Sequence, residues 1–278
     1  MERIGVLTFW GVPNYGAFAQ AYALNKILND YYKGAQVIHL AYLHPEHHKL
    51  YFSRTKPKLI SRRLFPKYCI DMLRYIWSPK IRYPEFENDW ETIPHITLRT
   101  ALDLEECYCD VIVTGSDAIW EYSIPAFGDD EHLIGNRLNC RKLVSYAASF
   151  GNMSPNDQFK PFVIEGLKRY NAIAVRDATS REIVATLLSN DIATEVLDPT
   201  LVHDFKADKN IPEPPYTKYI LVYGNTFPES LIRDVKNYAQ ANNLTIIGAG
   251  IAPSWCDARL TAISPLKWMA ARECSCLP

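Results

Sequence analysis

Apolar and polar positions fall into two alternating periods along this chain. Short apolar runs rich in β-branched residues occur at Arg3-Ile4-Gly5-Val6-Leu7-Thr8-Phe9, Gln36 to Ala41, Asp110-Val111-Ile112-Val113, 142–151, 172–175 and 194–197. Bounded by Gly, Pro or acidic residues, such runs read as strands buried on both faces. Between them the apolar positions take helical spacing. Phe18, Ala21, Tyr22, Leu24, Ile27 and Leu28 predict a helix ending near Asp30, and 178–188 predict another. Ser154 as cap with Pro155 as first residue predicts a third. Residues 54–77 read as a helix kinked at Pro66, 78–95 as a loop and short helix on the core, and Leu102 to Glu106 as a helical turn. The order strand, helix, strand predicts an α/β fold, a doubly wound parallel sheet with helices on both faces. The pattern predicts a Rossmann-like domain over 1–203 and a linker at 204–216, where Pro212, Pro214 and Pro215 concentrate. An incomplete second Rossmann-like domain follows over 217–278, with strands near 219–223 and 244–248 around a helix near 228–241. So short a unit predicts an exposed apolar sheet edge at Ile246 to Gly248, with self-association as its consequence.

Composition narrows the class. The chain has 278 residues, 48% hydrophobic and 22% charged, with a net charge of −1. Those values describe a globular protein and give no nucleic-acid surface. No apolar run reaches the length of a bilayer span. The strand-like start and the odd count of seven cysteines predict reduced thiols and a cytoplasmic location. The densest basic stretch, Arg54 to Arg74, interleaves Lys56, Lys58, Arg62, Arg63 and Lys67 with Leu59, Ile60, Leu64 and Phe65. It reads as a solvated helix face, with peripheral membrane or lipid-linked substrate contact as the sharper alternative. His44-Pro45-Glu46-His47-His48 reads as a solvated loop. No partner ligand stands at metal spacing, so no metal site is expected.

Candidate chemistry collects where predicted strands end. In open parallel sheets ligands bind beyond the carboxyl ends of the strands. Gly115, Ser116 and Asp117 close the Asp110 run and offer a turn, a hydroxyl and a carboxylate, with Trp120 as a flat face beyond. Alternatively Ser116 or Asp117 caps a following helix, and Trp120 belongs to the core. Asn14, Tyr15 and Gly16 open the first helix, whose N–H groups and dipole favour an anion. The loop lacks a dinucleotide fingerprint. Arg176 ends another strand and is the best anion-binding candidate. Its alternative role is an ion pair with Asp177 or Asp198. Gly224 and Asn225 form a second strand-to-loop entry, and Asp198-Pro199-Thr200 reads as an interdomain turn.

Five motifs stand in one order: N-Y-G-x-x-x-Q-A-Y-A-L (Asn14 to Leu24), D-V-I-V-T-G-S-D-x-x-W (Asp110 to Trp120), Y-A-A-S-F-G (Tyr146 to Gly151), A-V-R-D (Ala174 to Asp177) and L-D-P-T-L-V (Leu197 to Val202). Together, from residue 1 to about residue 268, they resemble the polysaccharide pyruvyl transferase family. The resemblance implies a GT-B-like fold of two Rossmann-like domains. It implies transfer from phosphoenolpyruvate, the donor substrate, to a hydroxyl pair of a cell-surface glycan or lipid-linked sugar, giving a cyclic ketal and phosphate. No cofactor is required by that chemistry. It further implies an anion-binding role for Arg176, donor or acceptor contacts from Asn14, Tyr15 and Gly16, and a base or hydroxyl-orienting role for Asp117. Trp120 would stack a pyranose ring.

The sequence departs from the family in two places. Ala118 stands where a Gln often follows the Gly-Ser-Asp triad. After Ser264-Pro265-Leu266-Lys267-Trp268, which should open a helix, no Ser-Phe-His-Gly motif follows, and His203 is no substitute for its His. The expectation is therefore a shortened copy with impaired transfer. A GT-B glycosyltransferase using a nucleotide sugar and a non-catalytic remnant are the alternatives.

Overall fold

A computed structural model describes residues 1–52, 66, 68–70, 84–127, 129–214, 216–224, 226–249, 253–260 and 263–272. The helix expected at 54–77 and the basic stretch within it lie almost wholly outside the described residues. The chain divides into two compact units, Met1–Arg82 with Trp90–His203 and Tyr83–Asp89 with Asp204–Pro278.

The first unit is built on five parallel strands: β1 (Arg3–Leu7), β2 (Gln36–Ala41), β3 (His95–Thr97), β4 (Cys109–Thr114) and β5 (Cys140–Ser145). Their order is β3-β2-β1-β4-β5, with Ile4 beside Val37 on one side and Val111 on the other. The order reverses between β1 and β4, which makes the carboxyl ends of these two strands the topological switch point. Two further parallel strands, β6 (Ile173–Val175) and β7 (Ala193–Glu195), pair with each other. They are tied to β5 through Ser145, whose Oγ donates to Ala174 O (3.0 Å) and accepts from Ala174 N (2.9 Å). Beyond Ser145 the expected strand 142–151 leaves the ladder, so Tyr146 to Gly151 are loop.

Helix α1 (Tyr15–Tyr31) packs on the sheet through an Ala-rich face that includes Ala17, Phe18, Ala21 and Leu24, all buried. Alanines favour the helix and admit close approach, while each fully buried Phe or Leu contributes roughly 1.5–3 kcal/mol. Val6, Leu24, Val37 and Val113 form one core cluster with Ile4. Helix α2 (Pro45–Phe52) follows β2 in sequence; α3 (Pro84–Trp90) falls in the second unit except for Trp90, and α4 (Ala101–Glu106) precedes β4. Thr100 caps α4 in a capping box with Asp103. The solvated loop expected around His44 is instead α2. Pro45 is tolerated because it stands in the first turn, and His47 is buried against Phe9, Phe127 and Tyr51. The helix expected from Ser154-Pro155 begins later, as α5 (Pro161–Lys168), because Ser154 and Asp157 close a turn on each other. Helix α6 (Ala178–Leu188) and the short α7 (Pro199–Val202) complete the unit.

The second unit has a three-stranded parallel sheet of β8 (Tyr219–Val222), β9 (Thr245–Ala249) and β10 (Ala258–Leu260), ordered β10-β9-β8. Helix α8 (Glu229–Asn242) lies between β8 and β9 in sequence, and α9 (Pro265–Arg272) follows β10. The exposed edge expected at Ile246 to Gly248 does not exist. β10 pairs with β9 on the side away from β8, and Ile246, Ile247 and Ala249 are buried. Val222, Ala239, Ile246 and Cys256 form this unit's own core. Asp89, from the short segment belonging to this unit, accepts from Leu266 N (2.7 Å) at the start of α9. Both units are parallel α/β.

Candidate functional site

The loop from β1 to α1 forms one wall of the switch point. Trp10 anchors it, its ring centroid 4.7 Å from Trp90, 4.9 Å from His95 and 5.2 Å from His39. Trp90 Nε1 donates to Val12 O (3.1 Å). Asn14 caps α1, its Oδ1 accepting from Gly16 N (2.9 Å) and Ala17 N (3.2 Å). Two of the terminal N–H groups are therefore engaged by the cap, which narrows what this terminus offers an anion. Asn14 and Gly16 are exposed, whereas Tyr15 points into the core.

The end of β4 forms the second wall. Gly115 has φ +115°, and a Cβ there would stand 2.2 Å from Tyr146 O. Its role is close backbone approach. Ser116 is fully buried. Its N–H and its hydroxyl both donate to Gln20 Oε1 (3.1 and 2.7 Å), and its carbonyl accepts from Thr8 Oγ1 (3.0 Å). The Ser116 hydroxyl expected to meet substrate is thus committed inside the fold. Trp120 is likewise fully buried, donating from Nε1 to Leu133 O (3.0 Å) and packing on Phe150 and Tyr170. An indole enclosed in this way builds the core and offers no face to a sugar. Asp117 differs from both. No helix follows it, so it caps none. It takes φ +82°, an uncommon conformation outside glycine that recurs at functional sites. Its Oδ1 accepts from Ala118 N (2.8 Å).

Arg176 follows β6, its N–H donating to Ala148 O (3.1 Å). Its Nη1 lies 3.3 Å from Asp198 Oδ2 and 3.6 Å from Asp117 Oδ1, with the side chain 33% exposed. Asp177 is not its partner. Asp177 caps α6 by accepting from Ser180 N (2.7 Å) and also accepts from Ser149 Oγ (2.7 Å). Asp198 is held in turn by Thr200, whose N–H and hydroxyl both donate to Oδ1 (2.9 and 2.7 Å). The Asp198-Pro199-Thr200 turn therefore serves the site by aiming a carboxylate at Arg176. One cation between two carboxylates leaves the cluster net negative while both are ionised. Burial raises the Asp117 carboxyl above the ordinary range, opposed by the Ala118 N–H and the Arg176 charge and reinforced by Asp198. A carboxyl in this balance suits proton transfer.

Two tyrosines join the cluster without having been singled out. Tyr146, the first residue of the Y-A-A-S-F-G motif, has its phenol raised by burial and by the nearby Asp198 charge. Tyr51, near the end of α2, is raised by burial while its hydroxyl is hydrogen-bonded by the Asn14 side chain, and it feels the Asp117 charge. The first was visible as a motif residue. The second was hidden because Pro45 and three histidines made α2 read as loop.

The structure thus brings Asn14, Tyr51, Asp117, Tyr146, Arg176 and Asp198 to one edge of the first unit's sheet, and commits Gly115, Ser116 and Trp120 to building that edge. Gly224 belongs to the second unit, where a Cβ would stand 2.8 Å from Phe227 Cζ. Asn225 lies outside the described residues. No group of three or more metal-ligating side chains gathers among the described residues, and no helix among them is long and apolar enough to cross a membrane.

A family profile described as polysaccharide pyruvyl transferase matches residues 14–253. No curated protein matches the chain significantly. Among solved structures, it is similar to the E. coli heptosyltransferase WaaC with ADP, at 12% identity and a TM-score of 0.38, covering 95% of this chain and 76% of that one. It is also similar to UDP-N-acetylglucosamine 2-epimerase from Rickettsia bellii, at 11% identity and a TM-score of 0.35, covering 96% and 71%.

Proposed function

We propose that this chain, which belongs to the polysaccharide pyruvyl transferase family, moves the pyruvyl group of phosphoenolpyruvate onto two hydroxyls of one sugar in a cell-surface glycan or its lipid-linked precursor. The enol carbon C3 gains a proton and becomes a methyl group. Two sugar oxygens form bonds to C2 as its bond to the phosphate oxygen breaks. Of the two hydroxyl protons lost, one balances the methyl group and the other leaves on phosphate. The donor is a cytoplasmic metabolite, so this reading places the reaction in the cytoplasm.

The observation that carries this reading is the position of Arg176, partly exposed and aimed between Asp117 and Asp198 at the carboxyl edge of the sheet. In the proposed reaction Arg176 meets the donor's carboxylate or phosphate as a bidentate fork. Asp117, with its raised carboxyl, takes a proton from an attacking hydroxyl. Asn14 orients that hydroxyl. The chemistry draws on the chain's own side chains and its two substrates.

A thermal-shift titration separates this reading from a nucleotide-sugar transferase on the same fold class, since fold does not decide function. Phosphoenolpyruvate should raise the melting temperature, Arg176→Met should abolish that rise, and uridine diphosphate should produce none. A rise with uridine diphosphate alone would replace the proposal with the glycosyltransferase reading.

A further inference from the structure

Helix α2 carries a side chain to the site edge that neither the motifs nor the family reading assigns. We infer that Tyr51 is a specificity-determining residue of the acceptor site, its hydroxyl binding the acceptor sugar beside Asn14 and Asp117. This rests on the function proposed above and names a further residue that touches substrate.

Three observations converge on Tyr51. The first is where it stands: its hydroxyl is bonded by the Asn14 side chain and lies within the field of the Asp117 carboxylate, between two groups already at the switch point. The second is how it is held. Its ring contacts His47 at 5.3 Å between centroids. His47 is itself clamped by Phe9 at 4.7 Å and Phe127 at 4.6 Å, and Phe9 stands two residues beyond the end of β1. The sheet therefore fixes the phenol through a short chain of packed rings, which supplies the preorganisation a binding group needs. The third is the chemistry. A phenol both donates and accepts, so beside one carboxamide and one carboxylate it completes a set of donors and acceptors for a hydroxyl pair. Such a set discriminates among sugars, because a ring lacking the matching hydroxyl leaves buried polar groups unpaired. Its place beside Asn14 and Asp117, rather than beside the Arg176 cation, puts its loss chiefly on the acceptor.

The test compares wild type with Tyr51→Phe, which keeps the ring and its packing. Phosphate release is measured with phosphoenolpyruvate and, in turn, the methyl β-glycosides of galactose, glucose and mannose. The expected result is a KM for the best glycoside raised about tenfold, with a KM for phosphoenolpyruvate within about twofold of wild type. Preference among the three glycosides should also flatten. An unchanged glycoside KM and preference in an active enzyme would overturn the role of Tyr51 and leave the proposed reaction standing. If wild type releases no phosphate, the same glycosides are titrated by saturation-transfer NMR. Binding that Tyr51→Phe weakens about tenfold keeps the sugar-site assignment while the transferase reading falls. Binding that the variant leaves unchanged, or no binding by wild type, overturns both.

Discussion

Ser116 gives its backbone N–H and its hydroxyl to one atom, Oε1 of Gln20, at 3.1 and 2.7 Å. This pair joins the β4 end to α1, and with them two of the five sequence motifs. Gln20 Nε2 continues the network to Thr8 Oγ1 and Ala17 O. All of it is buried, so removing the amide strands several polar groups at once. Gln20→Leu should lower stability by about 2–4 kcal/mol in urea unfolding. It should also reduce turnover, since Asp117 hangs from the same turn.

Gly115 tests the geometry of that turn more severely. At φ +115° with a carbonyl 2.2 Å from the position of a new Cβ, Gly115→Ala faces both a backbone conformation disfavoured for L residues and a clash with Tyr146. The expected loss is about 3 kcal/mol or more, read from the urea midpoint. A variant as stable as wild type would mean the strand ends differently.

The Arg176 cluster makes a prediction about pH. Asp198 raises the Asp117 carboxyl and Arg176 lowers it. Asp198→Asn therefore lets Asp117 ionise at lower pH, and Arg176→Met makes it ionise at higher pH. If ionised Asp117 is the base, the acidic limb of kcat/KM moves down in the first variant and up in the second. The Asn variant should also lose about tenfold in activity, because Arg176 is less firmly aimed. Limbs that stay in place in both would remove Asp117 from proton transfer.

Buried histidines set the acid stability. His39 is fully buried and its pKa falls to about 3 from 6.5, chiefly by desolvation, with the His95 charge acting the same way. The folded state therefore disfavours the cation. Above pH 6.5 the group is neutral in both states and costs nothing. As pH falls from 6.5 towards 3, the unfolded chain takes up the proton and stability is lost, about 2 kcal/mol by pH 5 from this group alone. Replacing the imidazole in His39→Leu should flatten the fall in unfolding free energy between pH 7 and pH 5.

Much of this organisation was legible in the residues. Continuous apolar runs such as Val111-Ile112-Val113 announce strands buried on both faces, and the helical spacing from Phe18 to Leu28 announces α1. Arg176, Asp117 and Asn14 could be placed at an edge because parallel strands end there. What failed did so for physical reasons. Ser116 carries a group as suited to a fold's interior as to a ligand, and its hydrogen-bond partner, Gln20, is set by tertiary packing; for Trp120 the core alternative is the one that holds. β10 (Ala258–Leu260) is only three residues, too short for a period-two signal, so β9 was read as an edge. Asp198 reads as a turn residue and is one, and its second oxygen makes the ion pair with Arg176 that the sequence offers as an alternative to Asp177.

The most direct test is the product itself. Wild-type protein would be incubated with phosphoenolpyruvate labelled with carbon-13 at C2 and a methyl glycoside acceptor, and the label followed by NMR. The account predicts that the C2 signal moves from an enol to a ketal carbon bonded to two sugar oxygens, with one phosphate released per ketal, and that Arg176→Met slows both sharply. Label remaining in phosphoenolpyruvate, or appearing as free pyruvate with the glycoside unmodified, would contradict it.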